Sequence, residues 1–432
     1  ESRLPVAKDA FNFNREITSV YIPESVEFIE WKAFRKCENL EKVTLSEGLQ
    51  KIYHEAFWDC VSLTSIEIPG SVKEIQYMAF EFCINLESLE INDGVEIIGN
   101  SAFNGCTSLS NIVIPESVTS IGGWAFDNCK IVSAKISMDA ISHIAIDNLE
   151  TLIIKGGTII EDSAFRDCNS LTSVMIRYGI ESIGASAFKG CGNLASIVIP
   201  DSVTSIGDSA FSGCTSLESI KMPASLVNVE PSLFDACSKL KGVSLGDNVD
   251  SIGEYAFCGC SSLEKVELPG SLLSIEKWAF RDCSSLRNIE LPASVVSVKN
   301  GVFWGCSALR SFELPRAVNM LDEGVLANCT SLESVTLGNG VLSIGYGAFY
   351  NCISIKSITI PPAVVNLGGQ VFRNCSSLQE LRVLCEAAPM CSADIAGNDL
   401  YSRTLLLVPA GCVAEYGFAR IWEKFGNVEE LQ

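Results

Sequence analysis

Cysteine is the residue type with the most evident capacity for chemistry, because 19 are present and 15 of them follow a fixed spacing. One run has 23-residue steps from Cys37 to Cys129, and a second run continues at the same step from Cys168 to Cys375. Zinc needs four ligands that converge on a point, whereas one cysteine per 23 residues gives a line. Parallel side chains on adjacent strands keep their Cβ atoms about 4.8 Å apart, beyond the usual disulfide range. We therefore predict a column of buried, reduced thiols.

Residues suited to enzymatic catalysis are few. The chain has only two histidines, His54 and His143, and they lie in different repeats. Gly207-Asp208-Ser209 resembles an esterase nucleophile block, but it occupies the place where five other repeats carry the same Ile-Gly-x-x-Ala-Phe sequence. No G-x-S-x-G, H-E-x-x-H or P-loop motif is present. We expect a protein that is not an enzyme and that uses no cofactor or metal.

The charge balance limits the classes of partner. With 31 basic and 52 acidic residues the net charge is −21, which argues against nucleic acid and against an anionic membrane surface. No apolar run reaches the roughly 18 residues of a membrane span, so we expect no transmembrane segment in this chain. The chain starts at Glu1 without a signal sequence, and we expect a processed product that lacks its anchoring segment.

The cysteine spacing belongs to a longer repeat, A-F-x-x-C-x-x-L-x-x-(I/V)-x-(I/L)-P-x-S-V-x-x-I-G. The segment L-x-x-I-x-I alternates apolar and polar residues, which predicts a strand with one buried face. The segment S-V-x-x-I predicts a second short strand. The segment A-F-x-x-C has apolar residues three apart, which predicts one turn of α or 3₁₀ helix. A unit of this size cannot offset its backbone entropy alone, so units must stack. We predict a mainly β repeat solenoid over residues 1–384, a curved rod of 16–17 coils with short parallel strands.

Two segments depart from the repeat. The cysteine step from Cys129 to Cys168 is 39 residues, and we interpret 130–148 as a shortened coil. From residue 385 the repeat stops, and 385–432 is predicted to be a C-terminal cap that shields the last coil. Within it, Tyr416, Ala419, Trp422 and Phe425 are spaced by three, which predicts an apolar helical stripe.

The repeat resembles the BspA-type leucine-rich repeat over about residues 10–384. The tail resembles the ending of such proteins from gut Bacteroides-like bacteria, through Cys385, Ala388-Pro389, the segment 407–411, Tyr416 and Trp422. The resemblance implies a secreted or outer-surface protein, often lipid-anchored near its N-terminus. Some members bind host matrix proteins or other bacteria, and these imply an adhesin-like or receptor-like protein with a host matrix protein or bacterial surface protein as its partner.

The candidate binding residues lie on the concave strand face, seven positions after each cysteine slot, where the sequence varies while the core positions do not. The candidate residues are Tyr21, Glu67, Glu90, Lys221, Glu267, Glu290 and Glu313. Neighbouring glutamates would stack with like charges, and Lys265, Arg287 and Arg310 could offset them. The column therefore predicts either part of a footprint for a basic protein partner or a solvated, ion-paired surface.

Five tryptophans favour an alternative function. They flank the Ala-Phe pair of their repeats, at Trp31, Trp58, Trp124, Trp278 and Trp304. If exposed, they would provide a sugar-stacking platform for a carbohydrate-binding protein. The other interpretation is that they shield the ends of the turn.

Overall fold

The computed structural model describes residues 4–432, which form two compact units. The first unit comprises Glu1–Ile160 with Cys168–Ile180, and the second comprises Glu161–Asp167 with Glu181–Gln432. Each unit is a stack of coils in which a first strand, a second strand and a turn follow one another. The predicted mainly β solenoid with a 23-residue period and parallel strands is confirmed.

In the first unit, every first strand pairs only with first strands, and every second strand only with second strands. The first strands are Ser19–Ile22, Lys42–Leu45, Ser65–Ile68, Ser88–Ile91, Asn111–Val113, Ser133–Ile136, Thr151–Ile154 and Ser173–Ile176. The second strands are Leu4–Val6, Val26–Ile29, Lys51–Ile52, Glu74–Ile75, Ile97–Ile98, Ser120–Ile121 and Ile159–Ile160. Alternation buries Ile66 and Ile68 and exposes Ser65 and Glu67.

The second unit repeats this arrangement. Its first strands are Ser196–Val198, Ser219–Lys221, Gly242–Ser244, Ser311–Glu313, Ser334–Thr336, Ser357–Ile360, Glu380–Val383, Leu405–Val408 and Asn427–Glu430. Its second strands are Ser182–Ile183, Ser205–Ile206, Asn228–Val229, Ser251–Ile252, Ser274–Ile275, Ser297–Val298, Met320–Leu321, Ser343–Ile344, Asn366–Leu367 and Met390–Cys391. Residues that pair between adjacent strands are one repeat apart in the sequence, as Ser274 and Ser297 are.

The turn differs from the expected helical turn. Around Cys83, the N–H groups of Ala79 and Glu81 donate to carbonyls three residues back, whereas those of Met78, Phe80 and Phe82 donate to the next coil. Met78 and Phe82 have φ angles of 55° and 61°, in the left-handed region that a right-handed helix excludes. The turn is therefore a series of tight turns whose alternate N–H groups join the coils.

Stacked phenylalanines fill the centre of each unit. Phe11 to Phe126 form one series with ring centroids 5.0–5.4 Å apart, and Phe165 to Phe303 form another at 5.1–5.8 Å. Phe211 is fully buried between Phe188 and Phe234. The rings repeat at nearly the strand spacing because each follows the backbone of its own coil.

The cysteines are free thiols, as predicted, and those of the column also form hydrogen bonds. The Sγ of Cys83 lies 3.3 Å from the carbonyl oxygen of Phe57 in the preceding coil, and Cys214 makes the same contact with Phe188. The thiol donates a hydrogen bond to a buried carbonyl, a role that a purely apolar residue could not fill.

Residues 130–148 interrupt the turns but not the first strands. Ser133 pairs with Thr151, only 18 positions later, so this coil is shortened. A 3₁₀ helix at Met138–His143 stands where other coils have the second strand and turn, and it buries Met138 and Ala140. The ring series of the first unit therefore ends at Phe126.

Residues 385–432 extend the first-strand ladder, since Leu405 pairs with Glu380 and with Asn427. A short helix α1 lies at Asn398–Arg403. The expected single helical stripe is instead divided between a second short helix, α2 at Val413–Phe418, and a 3₁₀ helix at Trp422–Lys424. Ile421, with φ of 77°, breaks the stripe. No helix within residues 4–432 is both long and apolar enough to cross a membrane.

We expect Phe211→Ala to cost about 3–5 kcal/mol of unfolding free energy, because it leaves a cavity between two rings. Since a coil contacts only its neighbours, hydrogen exchange should accelerate first in the coils that contain Phe188 and Phe234. Exposed Thr204→Ala is the control and should stay within about 0.5 kcal/mol. Uniform acceleration along the second unit would contradict local coupling.

Alkaline pH should destabilise the fold through the thiol column. Burial raises the pKa of Cys83 and Cys237 from 9.0 to about 12, because the thiolate is poorly solvated. Above pH 9 unfolded thiols lose protons that folded ones keep, so stability is fully present below 9 and falls between 9 and 12. The expected slope is about 1.4 kcal/mol per pH unit for each buried thiol.

Urea midpoints measured in reductant across this range test the slope. Cys83→Ala removes one titrating thiol and should make the fall with pH shallower. A midpoint that stays constant above pH 9 would contradict the role assigned to the column.

Candidate binding surface

The predicted column occupies the outward positions of the first strands in both units. In the first unit, Tyr21 is 66% exposed and lies opposite Thr44. Glu67 and Glu90 face each other on adjacent strands, and Asn92 Nδ2 donates to Glu67 Oε1 at 3.0 Å. The structure therefore brings Glu67 and Glu90 together but places Tyr21 two coils before Glu67, away from this pair.

In the second unit, Lys221 and Glu267 belong to one surface. Lys221 pairs with Ser244, and Ser244 forms a bridge to Glu267. Lys265 Nζ donates to Glu267 Oε1 at 2.7 Å. This contact holds the pKa of Glu267 below its usual range and raises that of Lys265. Both side chains are exposed, so water screens the pair and its contribution to stability is small.

The first-strand ladder opens between Glu267 and Glu313, a feature that sequence reasoning missed. It also opens between 88–91 and 111–113, between 196–198 and 219–221, and between 334–336 and 357–360. Residues 264–268 and 287–291 form no strand, although they carry the same apolar pattern as other coils. Within the described chain, their backbones exchange no hydrogen bond with each other. Some backbone groups of the two segments bond to other coils, since Glu264 N donates to Lys241 O and Arg287 O accepts from Arg310 N, but none bonds across this opening.

Three shallow depressions follow this opening and share residues with their neighbours. The first has a volume of about 760 Å³ and contains Lys221 and Glu267. The second, of about 630 Å³, joins Glu267 to Glu290, and the third, also of about 630 Å³, joins Glu290 to Glu313. The structure thus groups these four of the seven predicted residues on a single surface of the second unit.

The charge on this surface is mixed. Arg287 lines the second depression and Arg316 the third, each beside Glu290. Among the salt bridges of residues 4–432, neither Glu290 nor Glu313 has a partner. The predicted compensation is a salt bridge at Glu267 alone, whereas Glu290 interacts with Lys265 at longer range.

Most of the predicted tryptophans are held in intramolecular contacts. Lys8 and Lys32 each lie 4.3 Å from the Trp31 ring centroid, and Lys277 lies 3.7 Å from that of Trp278. These cation–π contacts cover ring faces that a sugar would need.

Two further tryptophan contacts involve the next coil. Trp58 Nε1 donates to Glu81 Oε2 at 2.9 Å, and the Glu81 carboxylate is buried. The Trp278 ring covers Gly301, where a Cβ would lie 2.4 Å from Cδ1 of the ring. Glycine at 301 is therefore required by the tryptophan of the preceding coil.

Trp124 is the exception, with 67% of its surface exposed. It lies in the last regular turn before the shortened coil, so no following turn packs over it. Among the described residues, the N–H groups of Trp124, Phe126 and Asn128 have no backbone acceptor, in contrast to the equivalent groups of other turns. The five tryptophans do not form one continuous platform.

The two histidines occupy unrelated contacts. The His54 ring meets Tyr77 edge-on at 6.2 Å, and His143 ends the 3₁₀ helix of the shortened coil. Within residues 4–432, no three His, Cys, Asp or Glu side chains come close enough to hold a metal ion.

Known proteins share this repeat. The family described as BspA type Leucine rich repeat region matches residues 5–133, 73–157, 158–272 and 250–379. No curated protein sequence matches the chain. A leucine-rich repeat protein from Bacteroides ovatus is 24% identical, with 96% of this chain and 92% of that chain covered and a TM-score of 0.52.

Two more distant structures also align. A leucine rich cell surface protein from Faecalibacterium prausnitzii is 24% identical, with 74% and 88% of the two chains covered and a TM-score of 0.34. An internalin from Listeria monocytogenes is 17% identical, with 66% and 87% covered and a TM-score of 0.30.

The tryptophan contacts predict unequal effects of truncation. Trp58→Ala should cost about 2–4 kcal/mol, because it removes packing and a donor to the buried Glu81 carboxylate. Trp124→Ala should stay within about 0.5 kcal/mol, because its ring is largely in water. Urea unfolding followed by circular dichroism compares them, and equal losses would contradict the assigned contacts.

Proposed function

The chain belongs to the BspA-type leucine-rich repeat family, and from this we infer that it is a non-enzymatic binding protein of the bacterial surface or extracellular space. We include attachment through a lipid anchor in this proposal. Its partner would be a protein, either a host matrix protein or a surface protein of another bacterium. The binding surface would be the first-strand face of the second unit, from Lys221 to Glu313.

The grouping of four predicted residues along this stretch of the first-strand face is the observation that carries this proposal. At 264–268 and 287–291 the two backbones do not bond to each other, and exposed charged side chains lie beside them. A protein partner can satisfy both at once, because its main chain bonds to the strands while its side chains enter the depressions. Since many coils contribute one small contact each, the surface suits an extended partner rather than a compact ligand.

Charge indicates which side chains the partner would present. Glu290 and Glu313 have no ion pair within the described chain, so a basic group could reach them without breaking an existing contact. The net charge of −21 would attract a basic partner from a distance. A basic segment of a matrix or surface protein therefore fits best.

Carbohydrate binding is the alternative, and its support comes from a cleft rather than from the tryptophans. A cavity of about 850 Å³ in the second unit is lined by Tyr346, Asn351, Gln370, Asn374 and Asn398. Amide side chains and an exposed tyrosine suit sugar hydroxyls and ring faces.

Reversing the three glutamates Glu267, Glu290 and Glu313 to lysine tests the proposal. Against each matrix protein that the wild-type chain retains on an array, association at low salt should slow by about tenfold or more. The salt dependence of the association rate should weaken as well, because long-range attraction is what salt screens. Surface plasmon resonance at several ionic strengths measures both quantities.

A matched control changes the net charge by the same amount at exposed turn positions of the same unit, through Asp208→Lys, Glu254→Lys and Glu323→Lys. If both triple variants lose binding equally, total charge and not this surface governs association. If neither loses binding while Tyr346→Ala abolishes retention on a glycan array, the carbohydrate alternative replaces the protein partner.

A further inference from the structure

The second strands of the second unit carry an uncharged apolar stripe that is separate from the first-strand surface. Its members are Leu273, Val296, Met320, Leu342, Val365 and Met390, which are 47–71% exposed. Leu273, Val296, Leu342 and Val365 share one outward column, in which Val365 N donates to Leu342 O at 2.9 Å and Leu342 N donates to Asn319 O at 2.8 Å. Met320 and Met390 belong to the neighbouring outward column, opposite Ser343 and Asn366. From the stripe's geometry and chemistry we infer that it is the interface through which two copies of this chain associate.

The same column in the first unit shows that the fold does not require apolar residues here. Lys73 and Glu96 occupy the equivalent positions, with the same backbone hydrogen bond between them, and they form a salt bridge at 3.2 Å. In the neighbouring outward column, Lys51 pairs with Glu74 at 2.5 Å. Ion pairs satisfy this face in one unit, whereas six successive coils of the other expose aliphatic side chains. Stacking the coils does not explain the stripe, but an external apolar contact does.

The spacing of the stripe selects the class of partner. Its side chains advance by one coil, about 4.8 Å each, along a band two residues wide, because Met320 and Met390 widen the column by one position. A partner that matches six such steps must present apolar side chains at the same interval, which is a property of another parallel β stack. A second copy provides the identical interval, and a two-fold axis would set the two stripes against each other in opposite directions.

Charge supports a second copy at this face. Each chain carries a net charge of −21, so two copies repel each other, and the repulsion at contact is least where the facing surfaces carry no charge. The outward pairs from Leu273-Ser274 to Val365-Asn366 contain no ionisable side chain. The serine and asparagine side chains beside the stripe add contact area, and no charged group would lose its water when the two copies associate.

The available area is sufficient for a reversible dimer. Six half-exposed aliphatic side chains offer on the order of 500 Å² of apolar surface, at the upper end of the patches found on monomers. With the flanking serines and asparagines, each copy approaches the roughly 800 Å² that a specific interface buries per partner.

The mass in solution is the test. In reducing buffer, sedimentation equilibrium should show a rise from 46.6 kDa toward twice that value between about 1 and 100 µM. Added salt should strengthen the dimer, because it screens the repulsion between the two net charges. Val296→Glu with Val365→Glu should weaken dimerisation at least tenfold, because four carboxylates would meet at the interface.

Thr119→Glu with Thr204→Glu is the matched control, with the same added charge in the same column outside the stripe, and it should dimerise as the wild type does. Val296→Glu with Val365→Glu could lower Tm by disturbing the fold. In that case Val296→Thr with Val365→Thr, which keeps the side-chain shape, should still weaken the dimer. A wild-type chain that stays at 46.6 kDa at about 100 µM in high salt overturns the inference. A dimer whose affinity both stripe variants leave unchanged also overturns it. The same holds for a monomer that binds phosphatidylcholine vesicles as the wild type but not as the stripe variants.

Discussion

Hydrogen bonding between adjacent coils is the constraint on which the rest of this structure depends. A single coil has two strands of two to four residues and a tight turn, and none of these is stable alone. In the turn around Cys83, three N–H groups close the coil on itself and three reach the next coil. The phenylalanine rings and the cysteine contacts follow, because a fixed backbone repeat places equivalent side chains directly above one another. Variation is therefore confined to positions that face away from the stack.

The shortened coil shows what happens when this constraint is relaxed at one place. The strand pairing of Ser133 with Thr151 is kept, but the turn is replaced by a 3₁₀ helix. Trp124 loses the neighbour that covers equivalent residues, and its ring is left in water. The exposure of Trp124 is thus a consequence of a deletion one coil later, and its own residue type does not explain it.

The sequence predicted the strands, the buried column and the parallel stacking because all of these follow from a 23-residue period. It did not predict the turn, because the left-handed conformations fall on residues such as Met78 and Phe82 that rarely adopt them, and bonds to the next coil impose them. Nor did it predict the opening at 264–268 and 287–291, where the apolar pattern is unchanged. Single-sequence patterns report which side chains are buried, but they do not report how closely two strands approach. Of the seven candidate residues, Lys221, Glu267, Glu290 and Glu313 share a surface, and no pattern separates them from Tyr21, Glu67 and Glu90.

The two ladders of the second unit differ in chemistry because a solenoid decouples its faces. A first-strand residue such as Glu313 and a second-strand residue such as Met320 lie seven positions apart in one coil, yet they belong to different ladders. Each coil therefore contributes one variable position to a charged surface and another to an apolar one, with its core unchanged. A polar contact on the first strands relies on charge and weakens with salt, whereas an apolar contact on the second strands is strengthened by salt. Two associations with opposite responses to ionic strength can thus coexist on one stack of coils.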